Sequence, residues 1–264
     1  MRSLPIAPGL ELIDLALFLS KTQTLAIADV HLGLEDALRE EGILIPRQHV
    51  AHVQQRLERI VRALNITPSA PLKRIIINGD LRHQFGPLSR IESKESKEFL
   101  RWLTSWAKQI ILIKGNHDGS LAQFVSPQVT IAKSYREEHC WFVHGDEAFT
   151  LPTAPRSCQE KERPGMRATE WIVIGHEHPA VSLRDPVTER VEVYKCFLAG
   201  RFQERNLLVL PSFNQLVRGS DLTKEQPLSP LVHQSSLEDL LVYPVSDDGR
   251  IYEFGPLHRL LAAV

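Results

Sequence analysis

The sequence predicts an α/β protein whose polar chemistry is gathered at strand ends, and three observations predict it. Short apolar runs stop repeatedly at clusters of Gly, Asp, Asn or His, amphipathic helical segments lie between the early runs, and the chain becomes strand-rich after Pro179. Open α/β sheets place their ligands outside the carboxyl ends of strands, so this regularity points to one site.

Taken in order, Ala16 to Ser20 and Thr24 to Ala28 are extended runs separated by the polar Lys21-Thr22-Gln23. They read as a hairpin leading to a strand that ends at Asp29. From Gln48 to Asn65 the apolar positions Val50, Val53, Leu57, Ile60, Val61 and Leu64 follow a helical period. Arg56, Arg59 and Arg62 fall on the other side and, with Arg47, are expected to be a hydrated face. Arg74 to Asn78 is a buried-strand signal broken by Gly79-Asp80, and a charged helix follows to about Trp106. Trp102 and Trp106 are at helical spacing and read as core. The strand-then-cluster unit recurs at Ile110 to Lys114, Cys140 to Val143 and Trp171 to Ile174. Arg190 to Leu198 and Asn206 to Leu210 read as antiparallel partners, with a further pair near Leu240 to Phe254. The segment from Thr150 to Ala168, with three prolines and four basic residues, reads as a surface loop. Residues 1–264 are expected to form one domain whose second half completes a second sheet.

Apolar residues at 43% and charged residues at 24% exclude a disordered or collagenous chain. Lys plus Arg number 31 against 32 for Asp plus Glu, so no global basic field holds nucleic acid and any phosphate must be bound locally. Cys140, Cys158 and Cys196 show no CxxC spacing, which argues against a disulfide framework or structural zinc and predicts reduced thiols in the cytoplasm. No export signal or membrane span is expected.

The residues at the strand ends carry the chemistry. Asp29 and His31 are two apart, as are His176 and His178, so each pair can turn to one centre where the chain leaves the extended state. Asp80 follows Gly79, which lets the backbone approach closely, and its carboxylate can bridge two cations. We expect Asp29, His31, Asp80 and His178 around one ion, and Asp80, Asn116, His144 and His176 around the other. Imidazole-rich coordination suits manganese, iron, cobalt or zinc better than magnesium. Two such cations activate water and neutralise charge in phosphoester hydrolysis. His117, not needed as a ligand, is the expected general acid for the leaving oxygen. His83 is a second catalytic candidate, as a partner of a ligand or a substrate contact, against the plainer reading of a turn residue. Arg82 beside it reads as solvated, as do Arg156, Arg163 and Arg167 among their glutamates.

In order, Asp-x-His at 29 to 31, Gly-Asp-x-x-His at 79 to 83, Gly-Asn-His-Asp at 115 to 118, His-Gly at 144 to 145 and Gly-His-x-His at 175 to 178 resemble the five motifs of the calcineurin-like metallophosphoesterases. The resemblance implies a four-layer sandwich of two mixed sheets flanked by helices, with a dinuclear site at the strand ends. The protein phosphatase branch has Asp-Arg-Gly after its second-motif Gly-Asp and Glu after its Asn-His; Leu81-Arg82-His83 and Asp118 depart from it. The pattern, with Ala28 to Gly33, Gly175 to Pro179 and Pro211 to Asn214, is closer to the ICC-like branch that includes the ligase-associated DNA damage response endonuclease. That implies a manganese-dependent DNA phosphodiesterase with DNA ligase or helicase repair partners. A hydrolase of small diesters such as 2′,3′-cyclic nucleotides, and a non-catalytic scaffold, are the competing readings.

Overall fold

The computed structural model describes residues 1–86, 89–119, 121–148, 170–185 and 187–261. The proline- and arginine-containing loop expected from Thr150 to Ala168, with Cys158, Arg156, Arg163 and Arg167, lies outside them.

The first sheet contains β1 (Leu4–Ala7), β2 (Leu10–Ile13), β3 (Ala16–Leu19), β4 (Thr24–Ile27), β5 (Leu72–Asn78), β6 (Ala107–Ile113) and β7 (Val129–Ala132), in that spatial order. Its first four strands are antiparallel, and β4 through β7 pair in parallel. The hairpin of β3 and β4 falls where the sequence predicts it. The two strands before it do not stand out in the sequence, because four-residue segments interrupted by Pro5, Gly9 and Asp14 are too short to display a period. Between β4 and β5 the chain forms α1 (Leu34–Glu40) and α2 (His49–Ala63), and α3 (Arg90–Leu103) connects β5 to β6. α1 lacks a side-chain N-cap, Gly33 standing there at φ 86, so its start carries no sequence signal. α3 begins at Ser89, whose hydroxyl accepts the Glu92 N–H at 3.0 Å.

The second sheet contains β8 (Ser134–Glu137), β9 (Cys140–Val143), β10 (Trp171–Ile174), β11 (Pro179–Arg184), β12 (Val191–Phe202), β13 (Arg205–Val209) and β14 (Ser220–Asp221), in the order β14-β11-β12-β13-β10-β9-β8. β15 (Leu241–Pro244) pairs with β12 and with β16 (Gly255–Pro256). β10 is parallel to both β9 and β13, whereas β12 is antiparallel to β13. Both sheets are therefore mixed, and helices flank them. β3, β4 and β10 are buried along their whole length, as are the last four residues of β5 and β6, which explains why they read as unbroken apolar runs. Trp102 and Trp106 pack against the main core. The sheets meet at their carboxyl ends: Asn78 Nδ2 at the end of β5 donates to Val173 O of β10 at 3.1 Å.

α2 buries Val53, Leu57, Ile60 and Val61 as its spacing predicts, but Arg56 is not on a hydrated face. Its Nε donates to Asp14 Oδ1 at 2.7 Å, Nη2 reaches the same oxygen, and both residues are buried. A helical period places a residue on an edge of the face, and only the position of the β2–β3 turn decides whether an acid meets it. Arg56→Met is expected to destabilise the fold by about 3–5 kcal/mol, because it strands a buried carboxylate. Urea unfolding of the variant beside Asp14→Asn/Arg56→Met checks this, the double variant recovering part of the loss.

Candidate metal centre

Asp29, His31, Asp80, His144, His176 and His178 lie together at the carboxyl ends of β4, β5, β9 and β10, with Asn116 and His117 following β6. Asp29, His31, Asp80, His176 and His178 all have positive φ, between 45° and 62°. Non-glycine residues rarely adopt this conformation, and each instance costs of order 1–3 kcal/mol. The left-handed kinks let Asp29 and His31 face one donor group, whereas His176 and His178, whose spacing alone would let them share a centre, are divided between two groups, His178 joining Asp29 and His31 and His176 joining Asp80 and His144. The backbones of the ligand loops also brace each other: Asp29 N–H donates to Gly79 O at 3.2 Å and His31 N–H to Asp80 O at 2.9 Å.

Two donor groups result. In the first, the donor atoms of Asp29, His31 and His178 lie within 4.8 Å of one another; in the second, those of Asp80, His144 and His176 do. His31 Nε2 is 3.3 Å from His178 Nε2, and Asp29 Oδ2 is 3.5 Å from His178 Nε2. Asp80 Oδ2 is 3.3 Å from His144 Nε2 and 3.8 Å from His31 Nε2, so this carboxylate stands between the groups. Asn116 Oδ1 is 2.9 Å from His144 Nε2. The chemistry of the donors fits two divalent cations: two buried carboxylates face several imidazole nitrogens, with no Lys or Arg among them. The packing fits as well. A Cβ on Gly79 would come within 1.8 Å of His144 Nδ1, and one on Gly115 within 2.2 Å of Asp80 Oδ1. The motif glycines are therefore required for clearance around the donor atoms.

Electrostatics follow the same arrangement. Burial, then the neighbouring His178, lowers His31 to about 3. Burial would depress His144 too, but the hydrogen bond to Asp80 and the charges of Asp29 and Asp80 prevail and raise it to about 9. Burial alone would raise Asp80; the hydrogen bond and charge of His144 instead bring it down to about 2.

His117 sits at the rim, with its backbone N–H donating to Asp80 Oδ1 at 2.9 Å and its Nδ1 against the carbonyl of His83. His83 is half-buried, its Nδ1 3.4 Å from His31 Nδ1 and its ring stacked 5.5 Å from that of His117. His31, His83 and His117 thus form a third cluster joined to the first group through His31. Beside the second group lies a cavity of about 520 Å³ lined by Asn116, His144, Lys114, Lys133 and Asp146.

Arg82 is not solvated. Its side chain is fully buried, pairs with Glu92 at 3.2 Å and donates to the carbonyls of Gln84 at 3.0 Å and Gly86 at 3.1 Å. A short motif cannot reveal this, since the partner Glu92 belongs to the next helix.

Four residues that support the site had no assigned role in the sequence reading. Asp118 accepts the N–H groups of Leu81, Arg82 and Gly115 at 3.1–3.3 Å and ties two ligand loops together. Burial, followed by the charge of Asp80, raises it to about 6. Glu177, buried between His176 and His178, accepts Ser229 N–H at 2.8 Å. His49 Nε2 meets Val30 O at 2.9 Å, between two ligand residues, and Ser212 Oγ donates to Asp29 O at 3.1 Å. Asp118, Glu177 and Ser212 stand inside motif segments singled out in the sequence, Ser212 in Pro211 to Asn214, and were findable by position; His49 lies in none of them and carried no signal.

Lys195 holds the segment behind Asp29, its amine donating to Ser212 O at 3.0 Å and Asn214 O at 2.6 Å. Burial, then the charge of Arg56, lowers it to about 7 from an ordinary 10.5. A neutral amine still supplies the two N–H donors these carbonyls take. Between those values the unfolded chain binds the extra proton, so this lysine makes stability rise with pH over that window and lowers it below. Urea midpoints from pH 7 to 9 should rise less steeply in Lys195→Met than in the wild type.

A fold of two mixed sheets with this donor set at their carboxyl ends is that of a metal-dependent phosphoesterase. The family model for calcineurin-like phosphoesterase matches residues 22–180, and the chain belongs to that family, which uses a dinuclear divalent metal site. Among solved structures the chain is similar to the nuclease MPE of Pseudomonas putida, with TM-score 0.58 and 18% identity over 96% of this chain and 99% of that one. It also matches Yfce, a phosphoesterase from E. coli, with TM-score 0.41 and 14% identity over 88% of this chain and 98% of that one. No curated protein matches the sequence. No helix among the described residues is long and apolar enough to cross a membrane.

Proposed function

We propose that the protein is a phosphodiesterase that cleaves DNA, with Asp29, His31, Asp80 and His178 holding one cation and Asp80, Asn116, His144 and His176 the other. The observation that carries this reading is the position of Asp80, whose Oδ2 is within 4 Å of a nitrogen from each donor group. A pair of cations supplies polarisation of the phosphoryl oxygen and a nucleophile from water near neutral pH. The imidazole-rich donors favour manganese, iron, cobalt or zinc, and the ICC-like motif resemblance favours manganese among them.

The chain's own residues do the rest. The backbone N–H of His176 donates to both Asp29 oxygens, at 3.2 and 3.0 Å, and fixes the plane of that carboxylate. The carbonyl of His83 takes the Nδ1 proton of His117, which leaves Nε2 to deliver a proton to the leaving oxygen. His83 in turn orients His31 through their facing Nδ1 atoms, an outer-partner role of the kind that commonly tunes metal ligands.

DNA is the favoured substrate on the motif resemblance to the ICC-like branch, and the Pseudomonas putida protein of similar fold is a nuclease. In this reading the protein works in cytoplasmic DNA repair, beside a ligase or helicase. The test is a panel of single-stranded DNA, duplex DNA and 2′,3′-cyclic nucleotides with added manganese. Cleavage of DNA is expected; intact DNA alongside turnover of the cyclic nucleotide would replace this reading with that of a small-diester hydrolase.

A further inference from the structure

We propose that Phe85 is a base-stacking platform that receives the nucleoside on the leaving side of the cleaved bond; this rests on the DNA phosphodiesterase reading above. Phe85 is 68% exposed, yet its ring lies 3.9 Å, centroid to centroid, from that of His117 at an interplanar angle of 31°. One face of the phenyl ring is thus occupied by the imidazole proposed to protonate the leaving oxygen, and among the described residues the other face is exposed. The group attached to that oxygen must extend from His117, and the adjoining aromatic surface belongs to Phe85.

The backbone that carries the ring is held on both sides. Arg82 Nη2 donates to the carbonyls of Gln84 and Gly86, the two neighbours of Phe85, at 3.0 and 3.1 Å. The guanidinium is itself fixed by Glu92 at the start of α3, with Nε to Oε1 at 3.3 Å and Nη2 to Oε2 at 3.2 Å. Arg82 N–H is further anchored on Asp118 at 3.2 Å. A buried ion pair thus stabilises two residues flanking a solvent-facing aromatic ring. An exposed phenyl gains nothing from water, and ordering it beside the site reduces the entropy a ligand must lose on binding. Every base has a π-face, so such a platform accepts DNA without reading its sequence, in keeping with a chain that has no global basic field.

The test compares the dinucleotide thymidylyl-thymidine with two forms lacking either the 5′ or the 3′ base, and uses bis(p-nitrophenyl) phosphate as a base-free diester. For the wild type, removal of the base on the leaving side should lower kcat/KM about tenfold to a hundredfold, and removal of the other base much less. Phe85→Ala should abolish that discrimination, Phe85→Trp should restore it, and Phe85→Leu, which still covers His117, should not. As a readout independent of turnover, metal-stripped wild type should bind oligothymidylate more tightly than its abasic counterpart, and Phe85→Ala should bind both alike. Equal losses on the dinucleotide and on both of its base-lacking forms in Phe85→Ala, with bis(p-nitrophenyl) phosphate spared, would make the ring only a cover for His117 and overturn the proposal. Turnover of bis(p-nitrophenyl) phosphate with none of the dinucleotide would leave a phosphodiesterase but remove the nucleoside contact. Inertness toward both diesters would remove the phosphodiesterase reading itself.

Discussion

Asp80→Ala is expected to release both cations together and to abolish turnover, because the one carboxylate lies between both donor groups. Loss of an outer partner typically costs about ten- to a hundredfold in metal affinity or activity; loss of the shared carboxylate should exceed that at both positions. Metal content after dialysis, read by mass spectrometry, should fall for both ions in parallel. Asp80 also accepts the His117 N–H and is buried, so the alanine variant creates a gap. Asp80→Asn keeps the shape and that hydrogen bond while removing the charge, and it should show the same paired loss with its fold intact. Retention of two tightly held ions in either variant would show that Asp80 does not bridge.

His117→Asn is the second large effect, and it separates proton transfer from metal binding. The residue is outside both donor groups proposed to bind the cations, so metal content should be unchanged. General acid catalysis commonly contributes about 10²- to 10⁴-fold, and the variant should lose that much on DNA. A p-nitrophenyl diester leaves as a stable phenolate and requires no proton, so its hydrolysis should suffer far less. Equal losses on the two substrates would remove His117 from the acid role. The side chain is suited to this role by local means: His83 O sets its tautomer and Asp80 fixes its backbone.

The polar clusters after β4, β5, β6, β9 and β10 were legible because each follows a run of buried residues that shows as continuous apolarity. Chemistry then narrowed the choice, since aspartate, asparagine and histidine at five strand ends have few uses other than binding cations. The amphipathic α2 was legible for the same reason: periodicity is a property of consecutive residues. By contrast, β7, β8, β11 and β14 were not foreseen, and β14 is only two residues long, held by its parallel neighbour β11. Their stability comes from pairing partners that no local pattern records.

By itself, the sequence determined which residues are the candidates for the chemistry and that strand ends would present them, because residue type and hydrophobic period are local quantities. Only the tertiary structure decided which donors share a centre, that five of them adopt left-handed backbone, and that Arg56 and Arg82 are buried ion-pair members rather than hydrated charges. It also decided that Phe85 lies on His117. The physical reason is the same in each case: a contact or a buried charge depends on what the rest of the chain brings alongside, across tens of residues, and that is set by how the two sheets pack together.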